Sequence, residues 1–237
     1  MRDQYAGDIS DLLKFSLLHC LAGKDHRLGI GWYFNPEHDG RSDGLHTEYR
    51  NELKWAPLDP VYNALAALKE RSVAVLERLS IWPSKTRFHR TPVPQKRDRQ
   101  SWAEKMQDAL AETNLVFLDP DNGIGTTKRH AAIDEILSMR KPGRSIVVIK
   151  FPAREKFDHQ VKHHHDSLQR CKTDGTGATL LLTIRTRVSI PLRGKVVVPR
   201  FRWFTVIDPD DVLIERAHNY VRLLNGIDNV HADLKFS

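Results

Sequence analysis

The chain has 237 residues, of which 40% are hydrophobic and 28% charged, with a formal net charge of +7 and a sequence pI near 9.5. That length suits one domain spanning residues 1–237, with a full core and no second independent unit. No apolar run approaches the ~18 residues that a membrane span needs, Met1-Arg2-Asp3-Gln4-Tyr5 lacks the charged start and apolar core of a signal peptide, and Cys20 and Cys171 make no disulfide framework, so a cytoplasmic location is expected.

Residues 8–22 carry apolar side chains at helical spacing, with Asp8 or Ser10 placed to cap the start and Gly23 the end. Residues 30–34 read as a short aromatic strand, followed by the polar loop 35–44, and residues 46–53 as a short helix or ordered loop. A helical pattern over 59–82 predicts an insertion near 54–84, and 86–93 alternates as a strand does. Residues 101–112 predict a helix capped by Ser101. It leads into the apolar run Leu115-Val116-Phe117-Leu118, which reads as a buried parallel strand. A helix over 130–139, an apolar strand over 145–149, a long polar helix over 155–171 and a strand over 179–184 follow. Residues 196–198 and 204–207 look like a closing pair of strands, and 208–224 like a last helix ending at Gly226. Strands alternating with helices predict an α/β fold: a Rossmann-like, mostly parallel sheet with helices on both faces and a small helical insertion.

The stretch around which the chain is arranged ends in Asp119-Pro120-Asp121-Asn122-Gly123. This places two carboxylates at a strand's C-terminal end, the edge where open α/β sheets bind ligands. Pro120 fixes one backbone angle and Gly123 permits a tight turn, so the acids are held in one place. The loop after the first strand, with Asn35, Asp39, Gly40, Asp43 and His46, is expected to share that crevice.

Lys85, Arg87, Arg90, Lys96, Arg97 and Arg99 form one basic cluster, and Arg185, Arg187, Arg193, Lys195, Arg200 and Arg202 another. Phe88, Phe201, Trp203 and Phe204 lie among them. Such charge favours a polyanionic partner, and interleaved aromatics offer stacking surfaces for bases, so nucleic acid is the expected partner, RNA first. His159, His163, His164 and His165 invite a zinc reading. Adjacent histidines on a helix diverge by about 100°, so a solvated face is expected there.

The start Tyr5-Ala6-Gly7-Asp8-Ile9-Ser10-Asp11-Leu12-Leu13-Lys14-Phe15 resembles the opening of the J-type adenine-N6 methyltransferases of large-subunit ribosomal RNA, with Ala6, Gly7, Asp11, Leu13 and Lys14 coinciding. Leu118-Asp119-Pro120 resembles the beginning of that family's Asp-Pro-Pro-Tyr motif. The resemblance implies a Rossmann-like methyltransferase with S-adenosylmethionine as donor. It places Asp119 and the Pro120 backbone at the acceptor amino group, and Asp11 and Lys14, with Tyr5, Asn35 and Gly40, around the donor. The motif is degenerate here: Asp121 stands for its second proline and Asn122 for its aromatic, and no Gly-x-Gly follows the first strand.

Two other classes remain open. Asp119-x-Asp121-x-Gly123 also resembles the first motif of haloacid-dehalogenase-type phosphohydrolases, in which two carboxylates bind magnesium, so a magnesium-dependent hydrolase or nuclease is the alternative enzyme. The other is a non-catalytic RNA-binding protein on a Rossmann scaffold.

Overall fold

A computed structural model describes residues 1–38, 40, 46–151, 159, 166, 181–192 and 195–236, with the backbone alone at 181, 189–192 and 195–201. The helix expected over 155–171, the loop acids Asp39 and Asp43, His163 to His165, Cys171 and Arg193 therefore lie outside the described residues, apart from exposed His159 and Asp166.

Helix α1 (Ile9–Ala22) begins where Asp8 accepts the backbone N–H groups of Ser10 and Asp11, and ends at Gly23, whose φ of 49° favours a residue without Cβ. Nearly every residue of α1 is buried, the pattern of a helix enclosed by protein on all sides. It feeds β1 (Leu28–Trp32), after which come 3-10 turns at Glu48–Asn51 and Leu53–Leu58 and the short helices α2 (Val61–Ala66) and α3 (Val73–Glu77). The single helical stretch expected over 59–82 is thus two. The polar run Lys69-Glu70-Arg71 separates them, and the Ser72 side chain accepts Val75 N–H to start the second.

Strand β2 (Arg87–His89) leads to α4 (Arg99–Ala109), β3 (Leu115–Asp119), α5 (Ile133–Met139) and β4 (Ser145–Lys150). Asp98 occupies the N-cap of α4 without a side-chain cap bond, so Ser101 lies inside the helix instead of starting it. The chain closes with β5 (Leu181–Leu192), β6 (Lys195–Ile207), α6 (Asp211–Asn225) and β7 (Val230–Phe236).

The seven strands form one sheet in the order β2-β1-β3-β4-β6-β5-β7. The first four run parallel, while β6 is antiparallel to β4 and β5, and β7 to β5. Residues 196–198 and 204–207, expected as two strands, belong to one. Proline 199 falls where the β5–β6 register shifts between Val188 and Ile190, and such an irregularity tolerates the missing N–H. Strand β7 was not expected, although Val230, Ala232, Leu234 and Phe236 alternate with polar residues as a strand does.

Each face of the sheet has its own core. On one, α1, α2, α3 and α6 pack against Ile30, Trp32, Phe117 and Val147. On the other, Trp102 and Met106 of α4 and Ile136 of α5 pack against Val116, Leu118 and Val148. Helix α4 approaches β1 closely because Gly29 and Gly31 lack side chains: a Cβ on Gly29 would stand 2.7 Å from Thr113 Oγ1 and 3.1 Å from Leu110 Cδ2. Gly29→Val should overpack this face and cost about 1–3 kcal/mol, read as a lower denaturant midpoint at unchanged m; a midpoint equal to wild type would contradict the packing described.

Candidate functional site

Strand order creates a crevice. The chain moves from β1 outward to β2 on one side, and from β3 outward to β4 on the other, so the sheet's switch point lies between β1 and β3, outside their C-terminal ends. Trp32 and Asp119, the last residues of these strands, are register partners. A cleft of about 170 Å³ opens there, lined by loops following three parallel strands. Tyr33, Asn35 and Glu37 come from the loop after β1, Pro92, Val93 and Gln95 from that after β2, and Asp121, Lys128 and Arg129 from that after β3. The lining joins the flat and apolar surfaces of Tyr33, Pro36, Pro92 and Val93 to six polar or charged side chains, which offers hydrogen bonds and charge to a polar ligand.

Beneath the cleft, α1 delivers Lys14 to the end of β3. Its Nζ lies 3.0 Å from Asp119 Oδ2 and 2.6 Å from Asp11 Oδ1, and all three side chains are at most 2% exposed. Phe15 and Trp32 present rings to the same ammonium at 5.8 and 5.9 Å. Asp11 is shared further, because its Oδ2 accepts Gly7 N–H at 2.6 Å. Burial pushes the Asp11 carboxyl up to about 6, with the neighbouring Asp8 and Asp119 charges adding to the effect and Lys14 opposing it. The two carboxylates hold Lys14 above the usual lysine range against the opposing effect of its burial.

A second network sets the cleft wall. The Tyr33 hydroxyl donates to Glu135 Oε2 at 2.9 Å, and Arg99 pairs with the same carboxylate while lying over the rings of Tyr33 and Trp102 at 5.2 and 4.8 Å. Glu135 also accepts Ala132 N–H at 3.0 Å, fastening the start of α5. Burial and the Glu135 carboxylate keep the Tyr33 phenol well above its usual range, so it stays a neutral donor. The turn after β3 is stitched to itself by Asn122 N–H to Arg129 O at 3.0 Å, Ala131 N–H to Gly123 O at 2.9 Å and Gly125 N–H to Ala131 O at 3.0 Å. Gly123, at φ 89°, lies so close to Lys150 that a Cβ would stand 2.9 Å from it.

The structure brings some of the expected residues together and separates others. Asp11, Lys14 and Asp119 meet, but as a sealed cluster; the acid of this turn that borders the cleft is Asp121, whose side chain is 23% exposed. Asp121 Oδ1 also lies 2.8 Å from the Met1 amine, which donates to Tyr33 O at 2.7 Å. Asn35 lines the cleft. Pro120 is buried and Asn122 is exposed. Tyr5 packs half-buried on the core. Gly40 is exposed at φ 69° with open space about it. Tyr33, Arg99 and Glu135 were not expected at the site, and the sole local signal was an aromatic following an apolar strand.

Among the described residues, most arginines of the basic clusters are engaged within the chain. Arg87 pairs with Glu112 at 3.5 Å, Arg90 with Glu77 at 3.2 Å, Arg97 with Asp98 at 3.2 Å and Arg185 with Asp233 at 2.6 Å. Arg202 is buried and donates to Ser10 Oγ at 2.8 Å, tying β6 to α1. Among the described residues no three His, Cys, Asp or Glu side chains converge as a metal site, and no helix is long and apolar enough to cross a membrane.

No protein-family model matches the chain, and no curated protein matches it. Among solved structures, protein LPL1258 from Legionella pneumophila str. Philadelphia 1, given under the family model DUF519, is similar over 97% of this chain and 97% of its own, with a TM-score of 0.51 and 12% identity. The fold is α/β and Rossmann-like. At that identity the likeness concerns the fold alone.

Two changes test the buried cluster. Lys14→Met leaves two carboxylates facing each other without their cation and should cost about 3–5 kcal/mol, with adding Asp119→Asn recovering part of the loss; a Lys14→Met protein as stable as wild type would contradict the pairing. The pH dependence is the second test. Folded Asp11 keeps its proton up to about pH 6, against 3.8 for the ordinary side chain, so the folded state binds more protons in that window. Its contribution is complete below the lower value and is lost as pH rises through the upper one. Asp11→Asn should therefore lessen the fall in stability between about pH 4 and 6, measured by urea titration; an unchanged slope would contradict the assignment.

Proposed function

We propose that this chain is a Rossmann-like, S-adenosylmethionine-dependent methyltransferase acting on nucleic acid, with RNA the favoured substrate. One observation carries the reading. The two stretches that resemble the J-type ribosomal RNA adenine-N6 methyltransferases, one at the N-terminus and one 105 residues later, meet through Lys14 and Asp119 at 3.0 Å, beside the switch point where a Rossmann-like sheet binds its nucleotide. Resemblance in two distant segments gains weight when folding joins them at one place.

The cleft's residues fit a nucleoside-bearing donor. Tyr33, Pro92 and Val93 offer flat and apolar surface for a base, while Asn35, Gln95 and the carboxylates of Glu37 and Asp121 suit hydroxyl and amine groups. Bound there, S-adenosylmethionine supplies an electrophilic methyl on sulfur, and the protein's contribution is alignment of the acceptor. Sealed Asp119 acts as a positioning residue: with Lys14 it fixes the start of the turn, so that Asp121 and the backbone after β3 face the cleft. Asp121 is the group of this turn placed to accept a hydrogen bond from an acceptor.

The magnesium reading receives less support. Lys14 takes the place beside Asp119 that a cation would need, and the two aspartates contact different amines. Sealing of Asp119 favours the non-catalytic RNA-binding reading as the second candidate, and donor binding separates the two. Titration calorimetry with S-adenosylhomocysteine should give a saturable heat that Asp121→Asn weakens. Methyl transfer to total RNA should fall at least about a hundredfold in Asp121→Ala, as losing a positioning contact implies. No heat at millimolar ligand would remove the methyltransferase reading and leave RNA binding alone.

A further inference from the structure

Several of the described cations are matched by acids, and two at the cleft are not. Besides the pairs in the basic clusters, Arg99–Glu135 among them, Arg140 is matched by Asp208 and Arg216 by Asp25. Lys128 and Arg129 are exposed, line the cleft together, and their side chains have no hydrogen-bond or ion-pair partner among the described residues. Neither belongs to the clusters that draw attention in the sequence.

Their backbone is nonetheless held by hydrogen bonds from Arg99 and Asn122. Arg99, clasped by Glu135 and stacked on Tyr33 and Trp102, donates to Lys128 O at 3.3 Å and to His130 O at 2.8 Å. Asn122 N–H donates to Arg129 O at 3.0 Å, and His130 N–H to Thr127 O at 2.9 Å. The two residues therefore project from a backbone fixed on both sides, and an ammonium and a guanidinium on adjacent, preorganised positions suit a phosphate, which accepts charge-assisted hydrogen bonds from both. Asp121, on the same cleft wall, disfavours a carboxylate or phosphate deep in the cleft, so the anion belongs at its mouth.

We propose that Lys128 and Arg129 form a phosphate clamp that holds the phosphate of a nucleotide unit while its base or sugar enters the cleft. This rests on the nucleic-acid part of the reading above and moves the point of grip from the basic clusters to the turn after β3. The 85–99 cluster still contributes through Arg99, which acts on the clamp's backbone.

Two probes test it, in the full chain: a single-stranded RNA of twelve nucleotides, followed by fluorescence anisotropy at several salt concentrations, and 5′-AMP against adenosine, followed by calorimetry. K128Q/R129Q is compared with wild type and with the charge-matched K24Q/K105Q, whose exposed lysines lie outside the cleft; thermal melts verify that all three fold. The clamp predicts that K128Q/R129Q alone loses about tenfold in RNA affinity at low salt, and that its log–log salt slope falls by about 0.7–1.4, for one or two phosphates. Should the phosphate come from a mononucleotide, 5′-AMP binds better than adenosine and K128Q/R129Q alone erases the difference. Either result sustains the clamp. If neither probe distinguishes K128Q/R129Q from K24Q/K105Q, or wild type binds neither, the clamp is wrong. S-adenosylhomocysteine titrated into the same wild-type sample reports separately: donor binding without a phosphate effect overturns the clamp alone, and the reverse overturns the donor.

Discussion

A lysine ammonium enclosed between two carboxylates organises the centre of this molecule. Lys14 can be buried at 1% exposure because Asp11 precedes it by one helical turn and Asp119 meets it from the end of β3. Removing such charges from water costs several kcal/mol per ion, so none of the three tolerates loss of its neighbours. The cluster fixes the height of α1 over the sheet and the exit of the chain from β3. The cleft follows, since its third wall is the turn that begins at Asp119.

From this anchor outward the turn after β3 is held by progressively more exposed contacts. Asp119 is sealed, Gly123 is pressed against Lys150, and Arg99 fastens the carbonyls near the far end of the turn. Arg99 in turn depends on Glu135, which also receives the Tyr33 hydroxyl and the first amide of α5's cap. Side chains from the loop after β1 and from α4 and α5 and the backbone of the loop after β3 are therefore mutually fixed, as a cleft that orients a reactant requires.

Much of this architecture was legible in the sequence, for identifiable reasons. Leu115 to Leu118 are apolar on both faces because β3 is covered on both, and Asp8 and Gly23 bound α1 through chemistry local to its ends. Boundaries failed where a distant partner decides. Residues 196–198 and 204–207 read as two strands, but the register shift of β5 against β6 accommodates Pro199 between them and they form one. At the site, the acid-rich turn could be placed at a strand end, but its division into a sealed Asp119 and a cleft-facing Asp121 depends on Lys14, 105 residues away. The Tyr33–Glu135 bond, across 102 residues, left no local trace either. Counting charges pointed to the basic clusters, whereas the fold sets Lys128 and Arg129, outside those clusters, at the cleft.

The central claim is that a nucleotide donor is held at the switch point by the loops after β1, β2 and β3. Amide hydrogen exchange with and without S-adenosylhomocysteine tests it most directly, because it reports where a ligand slows opening of the backbone. The account predicts added protection in residues 33–37, 92–95 and 119–131, and little change in the β5–β6 hairpin or β7. Protection confined to that hairpin, or none at saturating ligand, would contradict it.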